Sequence, residues 1–138
     1  MKTYTAHTKA IRILIATGDP NLKADLKERI QNNPSFKVAG TAQNGVEALM
    51  RAGELTPVLV LMDMKMPEAI TGAQMIKAGF PNIRILILGV KGKEELTEAL
   101  KSGADGYLIG AVETRELIAA LKNTILGISV NNDFLYIP

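Results

Sequence analysis

Cysteine is absent from the 138 residues, which excludes a disulfide framework and any thiolate metal site. There is one histidine, His7, and no acid or nucleophile flanks it in sequence, so histidine catalysis has little to build on. Tryptophan is also missing. Three Tyr and three Phe leave little surface for stacking on single-stranded nucleic acid. Charge of either sign is nearly balanced; a net +2, scattered along the chain, does not make a nucleic-acid surface. Long apolar runs are lacking as well, since none approaches the roughly 18 residues of a membrane span. Residues 1–10 are too polar for a secretory signal, and with Lys2, His7 and Lys9 they read as a solvated, basic leader. Neither nucleic acid nor membrane is expected as a direct partner, and the cytosol is the expected compartment.

What is present is a regular alternation of short apolar runs and amphipathic stretches. Residues 11–16 form a continuous, β-branched run, as in a strand buried on both faces. Asp19-Pro20 reads as a helix start, and Leu22, Leu26 and Ile30 follow it as an apolar stripe. Further strands are predicted at 36–41, 58–63, 83–88 and 106–109. Helices are predicted at 46–52, 72–78, 93–101 and 114–126, the last closed by Gly127. Residues 128–138 form a tail with room for one more extended piece. Five strand-then-helix units imply an α/β domain over 11–127, a five-stranded parallel sheet with helices on both faces. Ligands and chemistry in such sheets collect at the carboxyl ends of the strands. Here those ends are Thr17-Gly18-Asp19, Asp63, Gly89-Val90 and Gly110.

Asp63 stands out among them. It follows the apolar run Val58-Leu59-Val60-Leu61-Met62, and a carboxylate there is costly to bury without a partner. The spacing places it at the mouth of a buried strand, facing a pocket. Met62, Met64 and Met66 around it read as packing.

Four segments in order carry a resemblance to a known family. They are Ile13-Leu14-Ile15-Ala16 with Asp19-Pro20, then Gly40-Thr41-Ala42-Gln43-Asn44-Gly45-Val46-Glu47-Ala48-Leu49. Val60-Leu61-Met62-Asp63-Met64-Lys65-Met66-Pro67 and Ala99-Leu100-Lys101-Ser102-Gly103-Ala104-Asp105-Gly106-Tyr107-Leu108 complete the set. Together they resemble response-regulator receiver domains of two-component signalling, over residues 12 to about 126. The wording is closest to receivers that precede a LuxR-type helix-turn-helix, the NarL-like branch. The resemblance implies a flavodoxin-like fold without enzymatic function. It also implies a cytoplasmic role in phosphorelay signalling, with a histidine kinase as a partner.

The family's site holds Mg²⁺ between two acidic residues after the first strand and a phosphoacceptor Asp. A Thr or Ser ends its fourth strand and a Lys its fifth. An acyl phosphate adds about −1.5 to −2 of charge beside carboxylates, and the metal and ammonium compensate it. Carried over by position, the phosphoacceptor matches Asp63 and the switching aromatic matches Tyr107. The acidic pair falls on Thr17 and Gly18, the hydroxyl position on Gly89 and the ammonium position on Gly110. Loss of metal and ammonium together would remove about 4 kcal/mol of transition-state stabilisation, about a thousandfold in rate.

Expectation therefore favours an atypical receiver acting by protein–protein contact, with no cofactor. Its contact face would be the fourth helix, fifth strand and fifth helix, which could also pair two copies. The tail would then be a tail or the start of a linker to a DNA-binding output domain. The second reading is a conventional Mg²⁺-dependent phosphoacceptor, with Asp19 and Asp63 as weak metal candidates and Lys65 or Lys91 replacing the ammonium. A third is a small flavodoxin-like ligand or nucleotide binder using Thr17-Gly18-Asp19, which lacks a full-length phosphate loop. Gly18, Gly89 and Gly110 would leave room for a small anion at the strand ends.

Overall fold

The computed structural model describes residues 9–128 and 130–131. His7, most of the leader and most of the tail lie outside the described residues. The chain runs β1 (Ile11–Ala16), α1 (Pro20–Gln31), β2 (Phe36–Ala42), α2 (Gly45–Leu55) and β3 (Leu59–Asp63). It continues through α3 (Ala69–Gly79), β4 (Arg84–Val90), α4 (Gly92–Lys101), β5 (Gly106–Ile109) and α5 (Thr114–Ile125). All strand pairs are parallel and the sheet order is β2-β1-β3-β4-β5. The α/β architecture expected from the alternation is therefore present.

Side chains of period two divide each strand between two cores. Leu14, Val60, Met62, Ile85 and Ile87 face the layer of α2, α3 and α4, where Ala48, Ala73, Ile76 and Ala99 meet them. Ile13, Ile15, Leu59, Leu61 and Leu86 face α1 and α5, against Leu26, Ile30, Leu117 and Leu121. Each fully buried aliphatic side chain contributes about 1.5–3 kcal/mol of transfer free energy. This explains why residues 13–16 of β1 and 59–62 of β3 read as unbroken apolar runs: both of their faces are covered.

Most element limits fall within one or two residues of those predicted. Two limits differ by three residues: α2 runs on to Leu55 and not to 52, and α3 begins at Ala69 and not at 72. The start of α3 is set by tertiary packing. Glu68 adopts a left-handed φ of 60° without a side-chain cap, so no sequence signal marks the position. Gly45 and Gly72 let α2 and α3 touch backbone to backbone, since a Cβ on Gly72 would lie 2.7 Å from the Gly45 Cα. From the tail, Val130 forms a parallel bridge with Gly106, and its carbonyl accepts the Tyr107 N–H at 3.0 Å.

The amino-terminal edge of the sheet is tied by polar contacts. Lys77 Nζ donates to the carbonyls of Pro81 and Ile83 and pairs with Asp105 Oδ2 at 3.1 Å. Asp105 Oδ2 also accepts the Ile85 N–H at 2.8 Å. The carboxyl-terminal edge is left for the site.

Candidate functional site

Strand order brings the site together. β1 and β3 are neighbours with Ala16 beside Met62, so the next residues on each, Thr17 and Asp63, emerge side by side. Both are buried, at 2% and 6% exposure. Thr17 Oγ1 donates a hydrogen bond to Asp63 Oδ2 at 2.8 Å. The other carboxylate oxygen, Oδ1, accepts the Lys65 N–H at 3.0 Å. The same Thr17 hydroxyl accepts the Asp19 N–H at 3.1 Å, fixing the turn after β1. Asp63 is thus satisfied within the protein on both oxygens.

Asp19 lines the cleft beside Asp63 but is engaged elsewhere. Its Oδ1 accepts the N–H groups of Asn21 and Leu22, at 2.9 and 3.3 Å, and caps α1. Among the described residues no group of three or more His, Cys, Asp or Glu is placed to hold a metal ion. Thr17 offers a neutral hydroxyl already donated to Asp63, and Gly18 offers no side chain. The acidic pair expected after β1 is thus a hydroxyl and a glycine, and Asp19 and Asp63 are the carboxylates that remain at these strand ends, where Mg²⁺ would need one or two carboxylates and several waters.

All three glycines lie at the carboxyl edge of the sheet, divided between two clefts that share Asp63. Gly89 and Gly110 line a cleft on the α1–α5 side of Asp63, whereas Gly18 lies on its other side, with Gln43, Asn44 and Pro67. Gly18 is held there because its Cβ direction points at the Gln43 carbonyl, 3.2 Å away. Gly89 has φ +72° and sits where the pairing of β4 with β5 shifts register. Gly110 has φ +67°, and its N–H is engaged by the Val90 carbonyl at 3.1 Å. That backbone donor is therefore not open to an anion.

Chain-to-chain comparison is decisive at this point, because the response regulator receiver domain model matches residues 13–122. The chain belongs to the response regulator receiver domain family. It is 32% identical over 120 residues to the transcriptional regulatory protein LnrK of Bacillus subtilis strain 168, covering 85% of this chain and 54% of that protein. It is also 32% identical over 126 residues to the nitrate/nitrite response regulator protein NarL of Escherichia coli K12, covering 89% and 58%. A solved LuxR-family two-component response regulator from Aurantimonas sp. SI85-9A1 superposes with a TM-score of 0.81 at 25% identity, covering 88% and 89%. The chain spans little more than half the length of the two curated relatives.

Within this receiver, the sequence placed Asp63, Thr17, Gly18, Gly89 and Gly110 at the strand ends, and the structure puts all of them around Asp63. Tyr107 is buried, at 9% exposure, in the core layer of Ile87, Val90 and Ala99. Sequence reasoning missed the Thr17 hydroxyl as a partner of Asp63 and counted it only as a lost acid. The signal was available, since a strand order with β1 beside β3 makes the two residues adjacent. Lys65 and Lys91 both reach the cleft. A side-chain hydrogen bond from Lys65, and repulsion from its charge, hold Lys91 below the ordinary lysine pKa; Glu95 opposes the shift.

Proposed function

We propose that this receiver domain passes its signal by protein–protein contact, without a phosphoryl-transfer step at Asp63. The observation that carries the proposal is the Thr17–Asp63 hydrogen bond, which occupies the carboxylate with a neutral hydroxyl where the family resemblance expects a metal-binding acid. Gly89 supplies no hydroxyl for a phosphoryl group and Gly110 no ammonium. A modification without differential contacts in two states cannot shift their populations.

The contact face is the one formed by α4, β5 and α5. Leu100 stands exposed on α4, and the Tyr107 ring is packed beneath that helix. Its partner is a second copy of this chain or another signalling protein, and a histidine kinase belongs to the conventional phosphoacceptor reading. The regulated output is transcription, as for the transcriptional regulatory protein LnrK of Bacillus subtilis. Asp63 is the phosphoacceptor position by descent, and Thr17, Gly18, Gly89 and Gly110 are its altered companions.

Beryllofluoride with Mg²⁺ tests the proposal, because it mimics a phosphoryl group on an aspartate. Amide spectra of the protein should stay unchanged on its addition. Shifts spreading from Asp63 to β5 and α5, lost in Asp63→Asn, would establish the conventional phosphoacceptor in its place.

A further inference from the structure

The cleft on the α1–α5 side of Asp63 has a volume of about 370 Å³, the size of a small-molecule pocket. Its apolar lining comes from Leu22, Leu26, Leu88, Val112 and Leu117. Lys65 and Lys91, both solvent-exposed, line it as well. A side-chain hydrogen bond and charge repulsion from Lys65 lower the Lys91 pKa, and Glu95 opposes the shift.

The carboxylates on the cleft wall are already engaged. Asp63 accepts from Thr17 and the Lys65 N–H, and Asp19 caps α1. Asp25 pairs with Arg29 at 3.1 Å. Among the described residues neither lysine side chain forms an ion pair with an acid. Two like charges held side by side repel, and an anion seated against both converts that repulsion into attraction. Gly89 adds no side chain to the cleft, where a Cβ would sit in ordinary contact, 3.8 Å from Asp63 Oδ1.

We propose that this cleft binds a small amphipathic anion, with its acidic head at Lys65 and Lys91 and its apolar body along Leu22, Leu88 and Val112. The inference rests on the phosphoryl-independent reading of Asp63, because an acyl phosphate there would fill the cleft mouth with competing negative charge. The site would make the receiver a sensor of a metabolite. Its ligand class is an organic carboxylate, sulfonate or phosphate carrying a hydrophobic portion.

The test uses 8-anilinonaphthalene-1-sulfonate as the probe on the full chain. Saturable fluorescence enhancement is expected, with amide shifts confined to the surroundings of Lys65, Leu22, Lys91 and Val112. The Lys65→Gln/Lys91→Gln double variant should bind about tenfold more weakly or worse while keeping its amide dispersion. The uncharged N-phenyl-1-naphthylamine should lose affinity to a similar degree against the unaltered protein. Equal affinity of the double variant, absence of saturation, or shifts located elsewhere would overturn the site. Acetyl phosphate labelling run in parallel separates the two claims: modification of Asp63 overturns the phosphoryl-independent reading, whereas failed probe binding in an unlabelled protein overturns the cleft alone.

Discussion

Thr17 and Asp63, 46 positions apart in sequence, share a buried 2.8 Å hydrogen bond across the seam between β1 and β3. Thr17→Val keeps the shape of the side chain and removes the donor, leaving Asp63 Oδ2 buried without a partner. The variant should be about 1–3 kcal/mol less stable. Thr17→Ser should retain most of the stability. Urea unfolding checks both, with a lower midpoint for the valine variant at an unchanged slope.

Gly89 shows that the altered site is a matter of backbone as well as side chains. Its φ of +72° is left-handed, and a β-branched residue there is strained by about 1–2 kcal/mol. Gly89→Thr should therefore lower the melting temperature. Restoring the hydroxyl by this single change should bring no phosphoryl labelling of Asp63. A stable Gly89→Thr protein that gains labelling would show that the strand end is free to return to an extended form.

The fold was largely legible because buried parallel strands write themselves as apolar runs. The run at 11–16 and the stripe Leu22, Leu26 and Ile30 each need only local periodicity to be recognised. The start of α3 was not legible, because Glu68 and the Gly45–Gly72 contact set it through tertiary packing. Of the site, the positions were readable and their relations were not. Thr17 looked like a missing acid until the β1–β3 register placed its hydroxyl on Asp63. Gly18 reads as lining the same edge as Gly89 and Gly110, and it does, but in a second cleft that shares Asp63 with theirs. The pairing of Lys77 with Asp105 joins α3 to the loop before β5 and carried no sequence signal.

The Lys65–Lys91 contact has a pH signature. Lys91 has a lowered pKa in the folded protein, so below that value the repulsion is fully present and opposes folding. As pH rises through the lowered pKa, the folded state loses its proton before the unfolded chain does, and stability rises until the ordinary lysine value is passed. Lys65→Gln should move the Lys91 midpoint back up toward that ordinary value. Side-chain NMR titration of the lysine ε positions reads this directly, and an unmoved midpoint would contradict the contact.

Gly72→Ala tests the seam between α2 and α3. The added methyl would approach the Gly45 Cα to 2.7 Å and its carbonyl oxygen to 2.8 Å, and both are backbone atoms. Overpacking of this kind costs about 1–3 kcal/mol, which outweighs the gain of about 1 kcal/mol in helix propensity. Chemical denaturation should show a net loss of stability. A gain would mean that the two helices separate without strain.

Intact mass after incubation with acetyl phosphate and Mg²⁺ tests the central claim most directly. The unaltered protein should show no phosphoryl adduct on Asp63 above the level seen in Asp63→Asn, because Thr17 already occupies the carboxylate and Thr17 and Gly18 stand where the family resemblance expects the acidic pair. Stoichiometric addition of one phosphoryl group, abolished by Asp63→Asn, would contradict it.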